Sequence, residues 1–153
     1  ETYLRGRDGF SLLGGLIIVR YAENRGAFLG MGAAWPGWLK YAVLLVGPAL
    51  VCLSGLWYSV RATRSGLAAA CLASAIAGGL GNLVDRALND FVVVDFLNFG
   101  LGWLRTGILN VADLSLTFGL LAYLALELRA ERAGSASVSG PPVDDARNDG
   151  INK

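Results

Sequence analysis

The chain contains no histidine. That absence removes Ser-His-Asp and Cys-His nucleophile schemes, histidine-bound metals and histidine-ligated haem together. Lysine is almost as scarce. Lys40 has no serine near it in sequence and Lys153 lies in a polar tail, which argues against a Ser–Lys peptidase as well. The cysteines, Cys52 and Cys71, sit in separate apolar segments and read as small packing residues, not as a disulfide framework. Charge is thin. Asp, Glu, Lys and Arg make up 16% of the 153 residues, where a soluble domain carries about a quarter. With a net charge of +1 and no clustered basic stretch, nucleic acid is not an expected partner. The sequence opens on Glu1 without a methionine, and no secretory signal peptide is visible.

What remains is apolar. Hydrophobic residues make up 54% of the chain and the mean hydropathy is +0.51, the composition of a membrane protein, and the length is that of one domain. A helix crossing the hydrocarbon core needs about 20 apolar residues. Residues 41–60, 65–84 and 108–128 meet that requirement, and Pro48 should kink the first. In the second, Ala69, Ala73, Ala77 and Gly81 recur every four residues, a small-residue stripe against which another helix could pack closely. Residues 12–19 are apolar but too few to cross; they read as a strand with a hairpin partner near 28–31, in an outer β region of about 10–34. Trp35 and Trp38 mark a membrane–water interface. The expected architecture is a membrane α-helical bundle over residues 1–133, with three spans in this chain, and a disordered polar tail over 134–153. Arginines at 61, 64, 129 and 132 place those ends in the cytoplasm, so 20–38 and 85–107 lie outside. An odd number of spans leaves the N-terminus outside. A parent protein starting in the cytoplasm would need a first span upstream.

Between the second and third spans the sequence turns polar in a way that composition does not require. Asn82, Asp85 and Arg86 end the second span at three- and four-residue spacing, Asp95 interrupts an apolar run, and Asn110 and Asp113 share a face with Thr117 at the start of the third. Carboxylates at membrane depth cost a few kcal/mol, roughly, and point to function. The plainer reading makes Asn82, Asp85 and Arg86 an interfacial cap with a salt bridge, and Asp113 the buried partner of Arg86 or Arg105. The chemical reading pairs Asp95 with Asp113. Two carboxylates sharing a site cannot both ionise cheaply, so one holds a proton while the other takes one from water. Base and acid are then supplied without histidine or metal.

The motifs Gly78-Gly79-Leu80-Gly81-Asn82-Leu83-Val84-Asp85-Arg86, Val93-Val94-Asp95-Phe96 and Asn110-Val111-Ala112-Asp113, preceded by Asn24-Arg25-Gly26-Ala27-Phe28, resemble the signature blocks of lipoprotein signal peptidases (signal peptidase II). The resemblance covers roughly residues 15–128. It implies a four-helix inner-membrane peptidase of bacteria, with a small extracytoplasmic β-cradle and the active site on that outer side. Its substrate would be a lipid-modified prolipoprotein, cut before the diacylglyceryl cysteine. Carried over by position, it makes Asp95 and Asp113 the catalytic pair, and Asn24, Gly26, Asn82, Asp85, Arg86 and Asn110 the residues that shape the site and hold substrate. No metal or cofactor is implied. Partners would be the prolipoprotein and membrane lipids, with the enzyme a monomer. The family's first span, with its Asp-Gln-x-x-Lys pattern, is absent from these residues, and the Asn24 block is one residue shorter than the family form. The rival is a small transporter or structural membrane protein that uses its Asp and Arg residues as ion pairs or a proton path.

Overall fold

The computed structural model describes residues 6, 9–27, 30–62 and 65–138. Strand β1 (Phe10–Leu12) turns through Leu13–Gly15 into β2 (Ile17–Asn24) and pairs with it antiparallel. The apolar run 12–19 is therefore not one strand. Gly14 and Gly15 take φ of +64° and +93°, backbone angles open to glycine, and fold the run back on itself. The other neighbour of β2 is not near residues 28–31 but is β3 (Val93–Leu101), far along the chain. Gly30 and Met31 lie in a turn, and Phe28 and Leu29 fall outside the described residues. Strand β4 (Leu104–Leu109) completes a four-stranded antiparallel sheet in the order β1-β2-β3-β4. The β region thus takes in 93–109 as well as the segment near the N-terminus.

Two register shifts shape the sheet. Between Val19 and Ala22, β2 carries one residue more than β3 opposite it, and β4 does the same opposite Asn98–Gly100. Bulges of this kind bend a strand and re-aim its side chains. Arg105 holds the far end: its guanidinium donates to Gly15 O at 2.9 Å and Asn98 O at 3.1 Å, tying β4 to the β1–β2 turn.

Among the described residues, three helical segments are long and apolar enough to cross a membrane: Gly37–Arg61, Gly66–Leu88 and Val111–Ser135. The first comprises α1 (Gly37–Lys40), a π-helical stretch (Tyr41–Val46) and α2 (Gly47–Ala62). The expected disturbance by Pro48 takes the form of this wide stretch just before it, where Gly47 N–H reaches back five residues to Ala42 O. The other two are α3 (Gly66–Leu88) and α4 (Val111–Val138). The third span begins at Val111 instead of 108 because Leu109 and Ile108 are still pairing with β3. Helix α4 also continues through 134–138, where a disordered tail was expected; residues 139–153 lie outside the described residues.

Helices α3 and α4 pack through glycine. A Cβ on Gly78 would stand 2.3 Å from Ala112 O, and one on Gly119 would stand 2.6 Å from Ala75 N, so only hydrogen allows this approach. The buried face of α3 runs through Ala68, Leu72, Ala75, Gly78, Gly79 and Asn82. The stripe read from sequence lies beside it, with Ala73, Ala77 and Gly81 exposed. Core burial is sparse, and large residues such as Val51 (71% exposed) and Phe118 (66%) point outward from the spans. Lipid, not water, is the natural solvent of such a surface.

Candidate active site

Helix α4 begins one residue after β4 ends, and that residue is Asn110. Its side-chain oxygen accepts from the Asp113 N–H at 2.9 Å, while Asp113 Oδ2 accepts from the Asn110 N–H at 3.2 Å. This reciprocal arrangement satisfies donors that a helix start leaves open. It fixes Asp113 in the first turn of α4. The other Asp113 oxygen accepts from Asn82 Nδ2 at 2.7 Å.

Asn110 also reaches the sheet. Its Nδ2 donates to Asp95 Oδ1 at 2.8 Å and to Asn82 Oδ1 at 3.0 Å. Asp95 Oδ2 accepts from Asn24 Nδ2 at 3.0 Å. Asn24 in turn holds its own loop: Oδ1 accepts from Gly26 N–H at 3.0 Å and Nδ2 donates to Ala27 O at 3.1 Å. Arg86 closes the circuit from α3, donating to Asn82 O at 3.1 Å and to Gly26 O at 2.9 Å. Four separate chain segments are thereby joined in one polar network, with Asp95 3% and Asn110 5% exposed.

A cavity of about 20 Å³ lies inside the network, lined by Asn24, Asn82, Arg86, Asp95 and Asp113, with Val93, Ala27, Ile108 and Leu109 completing the wall. Strand alternation explains the selection: Val93 and Asp95 face this cavity, while Val94 and Phe96 face the other side of β3. Burial pushes the Asp95 carboxyl above the usual carboxylate range. The Asn24 amide opposes that rise, the Asp113 charge adds to it, and Asn110 and Arg86 oppose it in turn.

The structure brings together seven of the eight residues singled out by sequence: Asn24, Gly26, Asn82, Arg86, Asp95, Asn110 and Asp113. Asp85 is the exception. It lines a groove of about 600 Å³ with Tyr21, Val84, Val94, Phe96 and Val111, which touches the network only through Asn110. On a helix, the step from Asn82 to Asp85 turns the side chain about 60° away from the Asn82 direction. The salt-bridge alternatives for Asp113 are not what the side chains do. Arg86 donates to backbone carbonyls and Arg105 to the β1–β2 turn and Asn98. The wall residues Ala27, Ile108 and Leu109 carry no chemical signal that sequence could have shown. Thr117, expected on the Asp113 face, does line a groove of about 240 Å³ beside Asp113.

Comparison with known proteins bears on this constellation. The family described as signal peptidase (SPase) II matches residues 3–129. The lipoprotein signal peptidase of Syntrophomonas wolfei is 32% identical over 124 residues, spanning 80% of this chain and 75% of that protein. The lipoprotein signal peptidase of Borrelia duttonii is 27% identical over 132 residues, spanning 83% of this chain and 77% of its own. Among solved structures, a bacterial membrane enzyme superposes with a TM-score of 0.70 at 20% identity, covering 95% of this chain and 78% of that one, which shows a shared fold. The chain belongs to the signal peptidase II family of membrane peptidases.

Proposed function

We propose that the protein removes signal peptides from lipid-modified prolipoproteins by an aspartic mechanism, with Asp95 and Asp113 as the catalytic pair. The observation that carries this reading is that both carboxylates line one 20 Å³ cavity. A single water needs about 10–15 Å³ of such space. On this reading Asp113 takes a proton from that water as the oxygen attacks the scissile carbonyl. Asp95, whose burial favours the protonated form, gives its proton to the carbonyl oxygen. Collapse of the tetrahedral intermediate breaks the C–N bond, and a proton passes to the departing amine of the cysteine.

The surrounding residues act on position. Asn110 spans the pair by bonding to both acids, and Asn82 fixes the second Asp113 oxygen. Arg86 anchors the Gly26 carbonyl and so holds the Asn24 loop across the site. Gly26 admits the close return of this loop, since a Cβ there would meet Met31 O at 2.3 Å. Asp85 sits at the rim of the 600 Å³ groove, where substrate binding is its remaining role. Arg61 at one end of the first span and Arg129 and Arg132 near the end of α4 lie opposite the sheet. This supports an inner-membrane enzyme with its acids on the extracytoplasmic side.

The test is cleavage of a lipid-modified precursor by the reconstituted protein and by Asp95→Asn and Asp113→Asn. Each substitution should reduce the rate by about 10²–10⁴-fold while leaving membrane insertion unchanged. Normal processing by either variant would overturn the proposal.

A further inference from the structure

The two acids open onto different surroundings. Asp113 lines the 240 Å³ groove among the spans, with Val43, Leu44, Pro48 and Leu116. Asp95 lines a groove of about 350 Å³ on the sheet side, with Glu23, Asn24, Arg25, Gly30, Ala33 and Ile108. A peptide bond held at the cavity between the acids has one of these grooves on each side. The precursor is two-sided in the same sense: its apolar signal segment suits the spans, and the polar chain after the lipid-bearing cysteine suits water. Charged walls disfavour an apolar occupant, because burying Glu23 or Arg25 against it would strip their hydration.

We infer that the sheet-side groove receives the residues that follow the lipid-modified cysteine, and that Glu23 and Arg25 set which charges are accepted there. This rests on the peptidase reading above. Arg25 is the middle residue of a turn whose two flanks are both fastened, Asn24 to Asp95 and Gly26 to Asn24 and Arg86. The backbone at Arg25 is thus held a fixed distance from the acids, while its side chain reaches into the groove. Glu23 is engaged by the Tyr21 hydroxyl at 3.0 Å and lies 3.7 Å from the Arg25 guanidinium. Of the two charges Arg25 is the more accessible, its side chain 58% exposed against 31% for Glu23. The groove should therefore favour acidic over basic residues just after the modified cysteine.

The experiment uses three lipid-modified precursors that differ only in the two residues after the cysteine: acidic, neutral or basic. Their kcat/KM values are measured with the protein in proteoliposomes. The wild-type protein should prefer the acidic precursor, and Arg25→Glu should lower the acidic-to-basic ratio about fivefold, the scale of an exposed charge pair. Arg25→Gln should move the ratio less, in the same direction. An unchanged ratio in Arg25→Glu, or a uniform loss on all three precursors, overturns the groove assignment. Failure of the wild-type protein to cleave any of them would instead count against the peptidase reading itself.

Discussion

The helix pair and the sheet each contribute one acid to the same cavity, and they hold it by opposite means. Asp113 is fixed by its own neighbourhood: Asn110, three residues away, trades hydrogen bonds with it across the first turn of α4. Helices α3 and α4 then meet closely through Gly78 and Gly119, which brings Asn82 to the second oxygen. Asp95 has no such local support. Its place follows from β3 pairing with β2, from the bulge between Val19 and Ala22, and from Asn24 on a strand distant in sequence. Thus one acid depends on close helix packing and the other on long-range sheet register. Disturbing either layer should displace one acid and leave the other.

Asn110 is where the two layers join, so among the residues that position the acids Asn110→Ala should have the largest effect. It severs the bonds to Asp95 and Asn82 and the cap at Asp113. Misplacement of about 1 Å costs on the order of 10²-fold in rate, and cleavage of a lipid-modified precursor should fall by at least about that. The helix layer alone is disturbed by Gly78→Ala, whose methyl would stand 2.3 Å from Ala112 O. Overpacking costs about 1–3 kcal/mol, read as a lower unfolding midpoint in detergent. Gly66→Ala, with open space at the Cβ position, serves as the neutral control.

These helix features were largely visible in the sequence, and the sheet features were not. A span declares itself by composition, since about 20 apolar residues in a row have few other uses. The Asn110–Asp113 relation is local, three residues apart at a helix start, and was open to reading for that reason. The sequence points to residues 28–31 as the partner of β2 only because they are nearest; strand pairing over a long separation leaves no mark within either strand. The small-residue stripe was misplaced by one position. Ala69, Ala73, Ala77 and Gly81 have the right spacing, but each residue of a helix turns about 100°; Gly78 and Asn82 meet α4 and Gly79 meets Cys52 on α2, which leaves Ala73 and Ala77 exposed. Asp85 missed the cavity by the same rotation, although its motif is adjacent to Asn82 and Arg86.

The sheet layer is loosened by Arg105→Ala, which frees β4 from the β1–β2 turn without touching a helix. Lost hydrogen bonds to a charged group are worth about 1.5–3 kcal/mol. The variant should show earlier exchange of sheet amides, with α3 and α4 protection retained. Equal loss of protection in both layers would break the distinction between them. The smallest expected effect concerns proton occupancy. Burial raises the folded-state pKa of Asp95, which shifts its titration toward the protonated form. The stabilisation is present below the unfolded value, about 3.9, and is lost as pH rises through the folded value. The alkaline limb of the cleavage profile should report that loss. Asn24→Ala removes a donor that favours the carboxylate, so the limb should move to higher pH; a move to lower pH would contradict the assignment of Asp95 as the acid.

The central claim is that Asp95 and Asp113 act as one unit. Cleavage rates of a lipid-modified precursor by Asp95→Asn, Asp113→Asn and the double variant test it most directly. Groups that act together are strongly non-additive, so the double variant should be no slower than the slower single one. Rate losses that multiply in the double variant, or appreciable cleavage by either single one, would contradict the account.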